Sequence, residues 1–297
     1  MYFTKTRIAP TPSGFLHLGN VLSFAVTAYL ARTSGARLLL RIDDLDRERT
    51  QPEYVQDIFD TLRFLEIPWE EGPADLSIFE TKFSQLHRLH LYNDALDELR
   101  RSNAVFACTC SRSQLASDAV NGAYPGTCRD KQIPLDQPGV AWRLKTDERV
   151  LSVQTIDGNT IQQPLPSVMK DFIVRKKDGF PAYQLTSMID DLYWKIDLIV
   201  RGADLWDSTL AQLYLAGLMR KPEFELTRFY HHVLLSSADG IKFSKSAGDT
   251  SIRFLRNEGR RPAAIFTMIA GMMNRKETVN DWYSLGDLVY HSAMFLR

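Results

Sequence analysis

The 297-residue chain is 44% hydrophobic and carries 36 basic against 36 acidic side chains, so it can bury a sizeable core and presents no net field that would draw it to nucleic acid. No run approaches the roughly 18 consecutive apolar residues of a membrane span, and the N-terminal MYFTKTRIAPTPSG has neither an apolar signal core nor a small-residue cleavage site, which makes the cytoplasm the expected compartment. Three cysteines confined to one window, Cys108, Cys110 and Cys128, argue against a disulfide framework and leave metal or redox chemistry.

The first turn, RIAPTPSGFLHLGN from Arg7 to Asn20, crowds together prolines, glycines, a serine and a histidine. Asn20 is placed to cap a helix over VLSFAVTAYLA, and ARLLLRIDD then reads as a buried strand running into charge, which gives the order β-turn-α-β. Pro52 to Leu65 and Thr81 to Arg101 carry helical periodicity, and AVFAC reads as the next strand. From Thr109 to about Leu165 the chain is punctuated by Gly, Pro, Asn, Asp and Gln between short strand-like pieces such as VAWRLKT, the texture of an inserted subdomain. Strands and helices return with DFIVRKK, PAYQLTSMID, IDLIVRG, ADLWDSTLAQLYLAGLM and HHVLLSS; after Gly240 a Ser/Gly/Asp loop leads into the helical SIRFLRNEG and PAAIFTMIAGMM. This alternation predicts an α/β protein with a doubly wound parallel sheet, whose ligands bind at the carboxyl ends of the strands.

Neither GxGxxG nor GxxxxGK[ST] occurs, so a nucleotide would need another cradle. In SGFLHLGN, Gly14 lets the backbone reverse, Gly19 removes a side chain where a base or ribose can approach, and His17 can donate to a phosphate oxygen at the start of a helix. GIKFSKSAGDTS sets Lys242 and Lys245 three residues apart among small residues, where two ammonium groups suit the charge that develops on a transferring phosphoryl group. Taken singly, the first stretch is more simply a surface turn carrying a histidine and the second a solvated lysine loop. Three thiolates favour zinc, which wants a fourth ligand in a closed structural site, and no histidine lies between Cys108 and Cys128.

HLGN at residues 17–20 resembles the HIGH motif, and KFSKS at 242–246 the KMSKS motif, of class I aminoacyl-tRNA synthetases. RIAPTPSGFLHLGN, RIDDLDRERT, YQLTSMIDD and IVRGADL resemble the glutamyl subgroup in the same order along the chain. The resemblance implies a Rossmann-like catalytic domain that activates L-glutamate with ATP and Mg2+ to an adenylate and passes the acyl group to RNA. It assigns His17, Lys242 and Lys245 to catalysis and, with Gly19 and Asn20, to ATP binding. It assigns Arg7, Ala9, Thr11, Asp43, Tyr183 and Arg201 to glutamate, with Arg7 on the side-chain carboxylate. Asp43, one methylene shorter than the glutamate usual there, falls to the α-amino group. The subgroup uses a tyrosine oxygen as fourth zinc ligand at this spacing, which adds Tyr124 to the three cysteines and implies one structural Zn2+ per chain.

The expected division is a first half of the catalytic domain over residues 1–107, an inserted zinc-bearing, acceptor-contacting subdomain over 108–170, the second half over 171–240, and the lysine loop with a helical C-terminal region over 241–297. Residues 246–297 leave no room for the anticodon-binding region of longer members, so none is expected. The short form resembles members that attach glutamate to the cyclopentenediol of queuosine in the anticodon of tRNA(Asp). The tRNA(Asp) anticodon stem-loop is then the partner, KDFIVRKKD and RFLRNEGRR are the basic stretches that would line a phosphate path, and the chain is expected to be a monomer. A compact ligase charging a tRNA 3′ end and a non-catalytic zinc-bearing RNA-binding module stay open as alternatives.

Overall fold

The computed structural model describes residues 2–111, 113–115, 122–235 and 251–292. Its regular elements, in chain order, are β1 (Lys5–Ile8), α1 (Leu18–Ser34), β2 (Arg37–Leu40), α2 (Pro52–Phe64), α3 (Leu89–Arg101), β3 (Val105–Cys108), β4 (Ala141–Leu144), β5 (Val150–Thr155), β6 (Thr160–Pro164) and β7 (Ile173–Arg175). They continue with α4 (Tyr183–Tyr193), β8 (Leu198–Gly202), α5 (Trp206–Leu218), β9 (Arg228–His232), α6 (Ile252–Asn257), α7 (Pro262–Met272) and α8 (Trp282–His291). The chain forms two compact units, one from residues 1–87, 196–204 and 229–297, the other from 88–195 and 205–228.

In the first unit β1 and β2 pair in parallel, Lys5 opposite Arg37 and Ile8 opposite Leu40, with α1 as the crossover between them. β8 lies along β1: the Asp197 carboxylate accepts the Thr4 and Lys5 N–H groups at 2.8 and 2.9 Å, and Asp197 N–H donates to the Lys5 carbonyl at 3.1 Å. α1 is buried around most of its circumference, as its nearly unbroken apolar sequence requires. α8 packs on it at Gly286, where a Cβ would stand 2.2 Å from Tyr29 Cβ and 2.9 Å from the Ala25 carbonyl oxygen. The contact is tied by Tyr29 OH donating to Asp287 at 2.8 Å, and burial pushes the Tyr29 hydroxyl above its usual range.

In the second unit β3, β4 and β7 form an antiparallel sheet in the order β3-β4-β7, and β5 and β6 form an antiparallel pair. A buried ion pair joins Arg88, at the foot of α3, to Asp190 on α4 at 2.7 and 3.1 Å, and Tyr92 OH donates to the same carboxylate at 2.6 Å.

Three local expectations are corrected. The cap of α1 is His17, and Asn20 sits three residues into the capping box instead of leading the helix. The helix expected from Thr81 starts at Leu89: residues 79–83 make a π turn, and Ser84 turns extended, with φ −51 and ψ 141. The Asp44 carboxylate holds that break, accepting Ser84 Oγ at 2.6 Å and Gln85 N–H at 2.8 Å, a tertiary contact that outweighs helical periodicity. AVFAC and DFIVRKK do form strands, but both pair antiparallel with β4, because periodicity carries no information about a strand's partner. Among the described residues no helix is long and apolar enough to cross a membrane.

Candidate active site and cysteine cluster

His17 ends the turn after β1 and caps α1. Its Nδ1 accepts the Gly19 N–H at 3.2 Å, and its own N–H donates to Asn20 Oδ1 at 3.0 Å, so the two side chains satisfy orphan donors reciprocally. An accepting Nδ1 is unprotonated, which leaves the ring proton on Nε2. Gly19 serves this geometry directly, since a Cβ there would meet the His17 ring at 3.1 Å. The missing side chain therefore makes room for the histidine itself.

The chain after the lysine-bearing segment returns to the same turn. Ser251 bridges antiparallel to His17, and Ile252 N–H donates to the Leu16 carbonyl at 2.7 Å. Ser251 Oγ then accepts the Phe254 N–H at 3.1 Å to start α6. Lys242 and Lys245 lie outside the described residues.

The residues matched to glutamate fall in both units. Arg7 and Arg201 are buried side chains on the neighbouring strands β1 and β8, and Arg7 Nη1 donates to the Val200 carbonyl at 3.4 Å. The backbone ladder continues past the strands, Arg41 N–H to Ile8 and Asp43 N–H to Pro10, both 2.9 Å, which sets Asp43 beside the Ala9–Thr11 segment. Ala9 is half-buried and Thr11 exposed. Asp43 is itself buried and doubly bonded to Arg41, Nε to Oδ1 at 2.7 Å and Nη2 to Oδ2 at 2.9 Å. Residues at i and i+2 of an extended segment share a face, a signal in RIDD that the sequence reading passed over. Tyr183 belongs to the second unit, exposed at the start of α4.

Two other residues at the His17 turn were missed from sequence. Asp57 is a buried acid among the apolar residues of α2; its Oδ2 accepts the Leu16 N–H at 3.2 Å, and Arg256 on α6 faces its Oδ1 at 3.7 Å. An aspartate inside an apolar helical stripe was the available signal. In RFLRNEGRR, Arg253 pairs with Glu53 at 3.4 Å and Arg256 with Asp57 and Asp60. In KDFIVRKKD, Arg175 lies over the Trp142 ring at 5.1 Å and Lys177 donates to the Thr109 carbonyl at 2.8 Å.

In the second unit the Sγ atoms of Cys108, at the end of β3, Cys110 and Cys128 lie within 4.8 Å of one another, Cys110 and Cys128 at 3.5 Å. Tetrahedral zinc with Zn–S bonds of about 2.3 Å sets sulfurs about 3.8 Å apart, so this donor set fits. Tyr124 OH is 3.6 Å from Cys108 Sγ and accepts the Cys128 N–H at 2.8 Å, while the Arg143 guanidinium lies 3.7 Å over its ring. The thiols are unequal. Burial pushes Cys110 up to about 11; for Cys128 burial is outweighed by hydrogen bonds, the Thr109 N–H foremost, and the thiol falls to about 6. The cluster is compatible with a metal site.

The family described as tRNA synthetases class I (E and Q), catalytic domain, matches residues 4–283. The chain is 33% identical over 292 residues to a Glutamyl-Q tRNA(Asp) synthetase of Symbiobacterium thermophilum, covering 92% of this chain and 88% of that one. It is 38% identical over 269 residues to a Glutamyl-Q tRNA(Asp) synthetase of Pseudomonas aeruginosa, covering 87% and 86%. A Glutamate--tRNA ligase of Anaeromyxobacter is 32% identical, covering 88% of this chain and 56% of its own. Among solved structures, a glutamate-tRNA synthetase of Elizabethkingia anophelis shares the fold, with TM-score 0.75 and 20% identity over 96% of this chain; the chain spans 65% of that protein's length. Residues 4–283 thus place the chain in the family of class I tRNA synthetases of the E and Q type.

Proposed function

We propose that this chain activates L-glutamate with ATP and transfers the glutamyl group to queuosine in the anticodon of tRNA(Asp). A carboxylate oxygen of glutamate attacks the α-phosphorus of ATP as pyrophosphate leaves; a hydroxyl of the queuosine cyclopentenediol then attacks the acyl carbon as AMP leaves. Both steps depend on alignment and on stabilising charge on phosphate oxygens, with little covalent work for the protein.

His17 donates from Nε2–H to a phosphate oxygen, Gly19 and Asn20 hold its ring and backbone in place, and Lys242 and Lys245 balance the charge that develops as pyrophosphate departs. Arg7 takes the substrate's side-chain carboxylate in a two-pronged contact, with Ala9, Thr11 and Arg201 beside it and Asp43 sharing its Arg41-bound carboxylate with the α-amino group, while Tyr183 is assigned to glutamate by the resemblance alone. Mg2+ bound with ATP would shield its phosphates. Cys108, Cys110, Cys128 and Tyr124 would hold one Zn2+, which would pin the end of β3 to the turn at residues 122–128 and take no part in either step.

The observation that carries the adenylation reading is the bridge between His17 and Ser251, which brings the end of the lysine-bearing segment to the turn that caps α1. The acceptor is supported by the two Glutamyl-Q tRNA(Asp) synthetases that match over 88% and 86% of their own lengths. ATP–pyrophosphate exchange tests the first half, run with each of several amino acids and with and without tRNA. Exchange driven by glutamate alone is expected; exchange indifferent to the amino acid would reject the reading.

A further inference from the structure

We propose that Asp57 and Arg256 are a positioning pair that holds the His17 turn in register with the chain leaving the lysine-bearing segment, an inference that rests on the adenylation reading above.

The Leu16 peptide is gripped on both sides. Its carbonyl accepts the Ile252 N–H at 2.7 Å from the start of α6, and its N–H donates to Asp57 Oδ2 at 3.2 Å from α2. The other oxygen of that carboxylate turns toward α6, with Oδ1 3.7 Å from Arg256 Nη2 and, among the described residues, no hydrogen-bond donor on it. One buried carboxylate therefore faces both the residue before His17 and the helix that follows Ser251. Around it two charged rows face each other. Glu53, Asp57 and Asp60 lie on one side of α2, four and three residues apart, and Arg253 and Arg256 lie one turn apart on α6. Arg253 also covers the Phe15 ring at 4.5 Å, so both residues ahead of His17 are held from α6.

The carboxylate satisfies the Leu16 N–H, while burying it with Oδ1 left without a hydrogen bond among the described residues costs free energy. Burial pushes the Asp57 carboxyl above its usual range, with the Leu16 N–H and Arg256 pulling it back. What the carboxylate supplies is alignment: an error of about 1 Å between catalytic groups can cost about 100-fold in rate.

The test uses the full chain with Asp57→Asn, Arg256→Met, both together, and Arg256→Lys. Glutamate-dependent ATP–pyrophosphate exchange is measured alongside the thermal midpoint and amide hydrogen exchange at Leu16 and Ile252. Each single loss should lower kcat about 10- to 100-fold with KM for glutamate within about twofold. The double variant should be no worse than the poorer single one, and Arg256→Lys should recover most of the rate. Amide exchange at Leu16 and Ile252 should quicken in Arg256→Met and be restored in Arg256→Lys. Wild-type kcat in Arg256→Met, or losses that multiply in the double variant, would overturn the proposal, as would unchanged amide exchange. Arg256 is only partly buried, so if Asp57→Asn fails to fold, the Met and Lys variants decide. If the wild-type chain shows no glutamate-dependent exchange while the two amides respond as expected, the function reading fails and the positioning role stands.

Discussion

Arg41 and Asp43 face each other in a buried, two-bonded ion pair, Nε to Oδ1 at 2.7 Å and Nη2 to Oδ2 at 2.9 Å. Removing one partner strands the other's charge, which typically costs about 3–5 kcal/mol. Arg41→Met should lower unfolding stability by about that amount in denaturant titration. Asp43→Asn should do the same and should also raise KM for glutamate, since the pair shares Asp43 with the substrate's amino group in our reading. An Asp43→Asn variant with wild-type KM would remove Asp43 from the glutamate site.

His17 combines a structural and a chemical task, and substitution separates them. His17→Asn keeps a capping side chain and should cost little stability, yet lose about 100- to 1000-fold in exchange rate, the usual loss for a removed transition-state donor. Asn20→Ala should cost about 1 kcal/mol of stability, as lost caps do, with a smaller rate effect. Equal rate losses in the two variants would show that His17 acts only as a cap.

The sequence made the His17 turn legible because its chemistry is local: a strand, a turn rich in glycine and proline, and an apolar helix follow one another within about thirty residues. It hid what depends on distant partners. Asp44 stops the helix before Leu89 through Ser84 and Gln85, some forty residues away, and nothing in the periodicity of Thr81–Arg101 records that contact. Asp57 and Arg256 are two hundred residues apart in sequence, so their pairing shows only once Ser251 is seen against His17. The three cysteines were the opposite case, since a CxC pair and a third thiol in one short window already suggest a shared ligand set, and their sulfurs do lie within 4.8 Å of one another.

Metal analysis should find about one zinc per chain, as a single four-ligand site requires. Cys128→Ser should lose most of it, whereas Tyr124→Phe keeps three sulfurs and should bind more weakly without losing the metal altogether. Chelation should lower the thermal midpoint. Full stability after exhaustive chelation would remove the structural role.

The acid limb of stability should carry the signature of His231. Burial, then the Arg201 charge and His232, push His231 down to about 3, and burial lowers His232 as well. Above the unfolded value near 6.5 the His231 ring is neutral in both states and adds no pH dependence. Between there and about 3 only the unfolded chain takes up the proton, so stability falls as pH falls. His231→Phe keeps an aromatic ring against Phe229 and should lose about 2 kcal/mol less than wild type between neutral pH and about pH 5. Parallel stability curves for the two proteins would contradict this.

The most direct test follows labelled glutamate onto purified tRNA(Asp) in two forms, with and without queuosine, beside tRNA(Glu). The account predicts ATP-dependent glutamate incorporation into queuosine-containing tRNA(Asp) and into neither of the others. Incorporation into tRNA(Glu), with none into queuosine-containing tRNA(Asp), would contradict it.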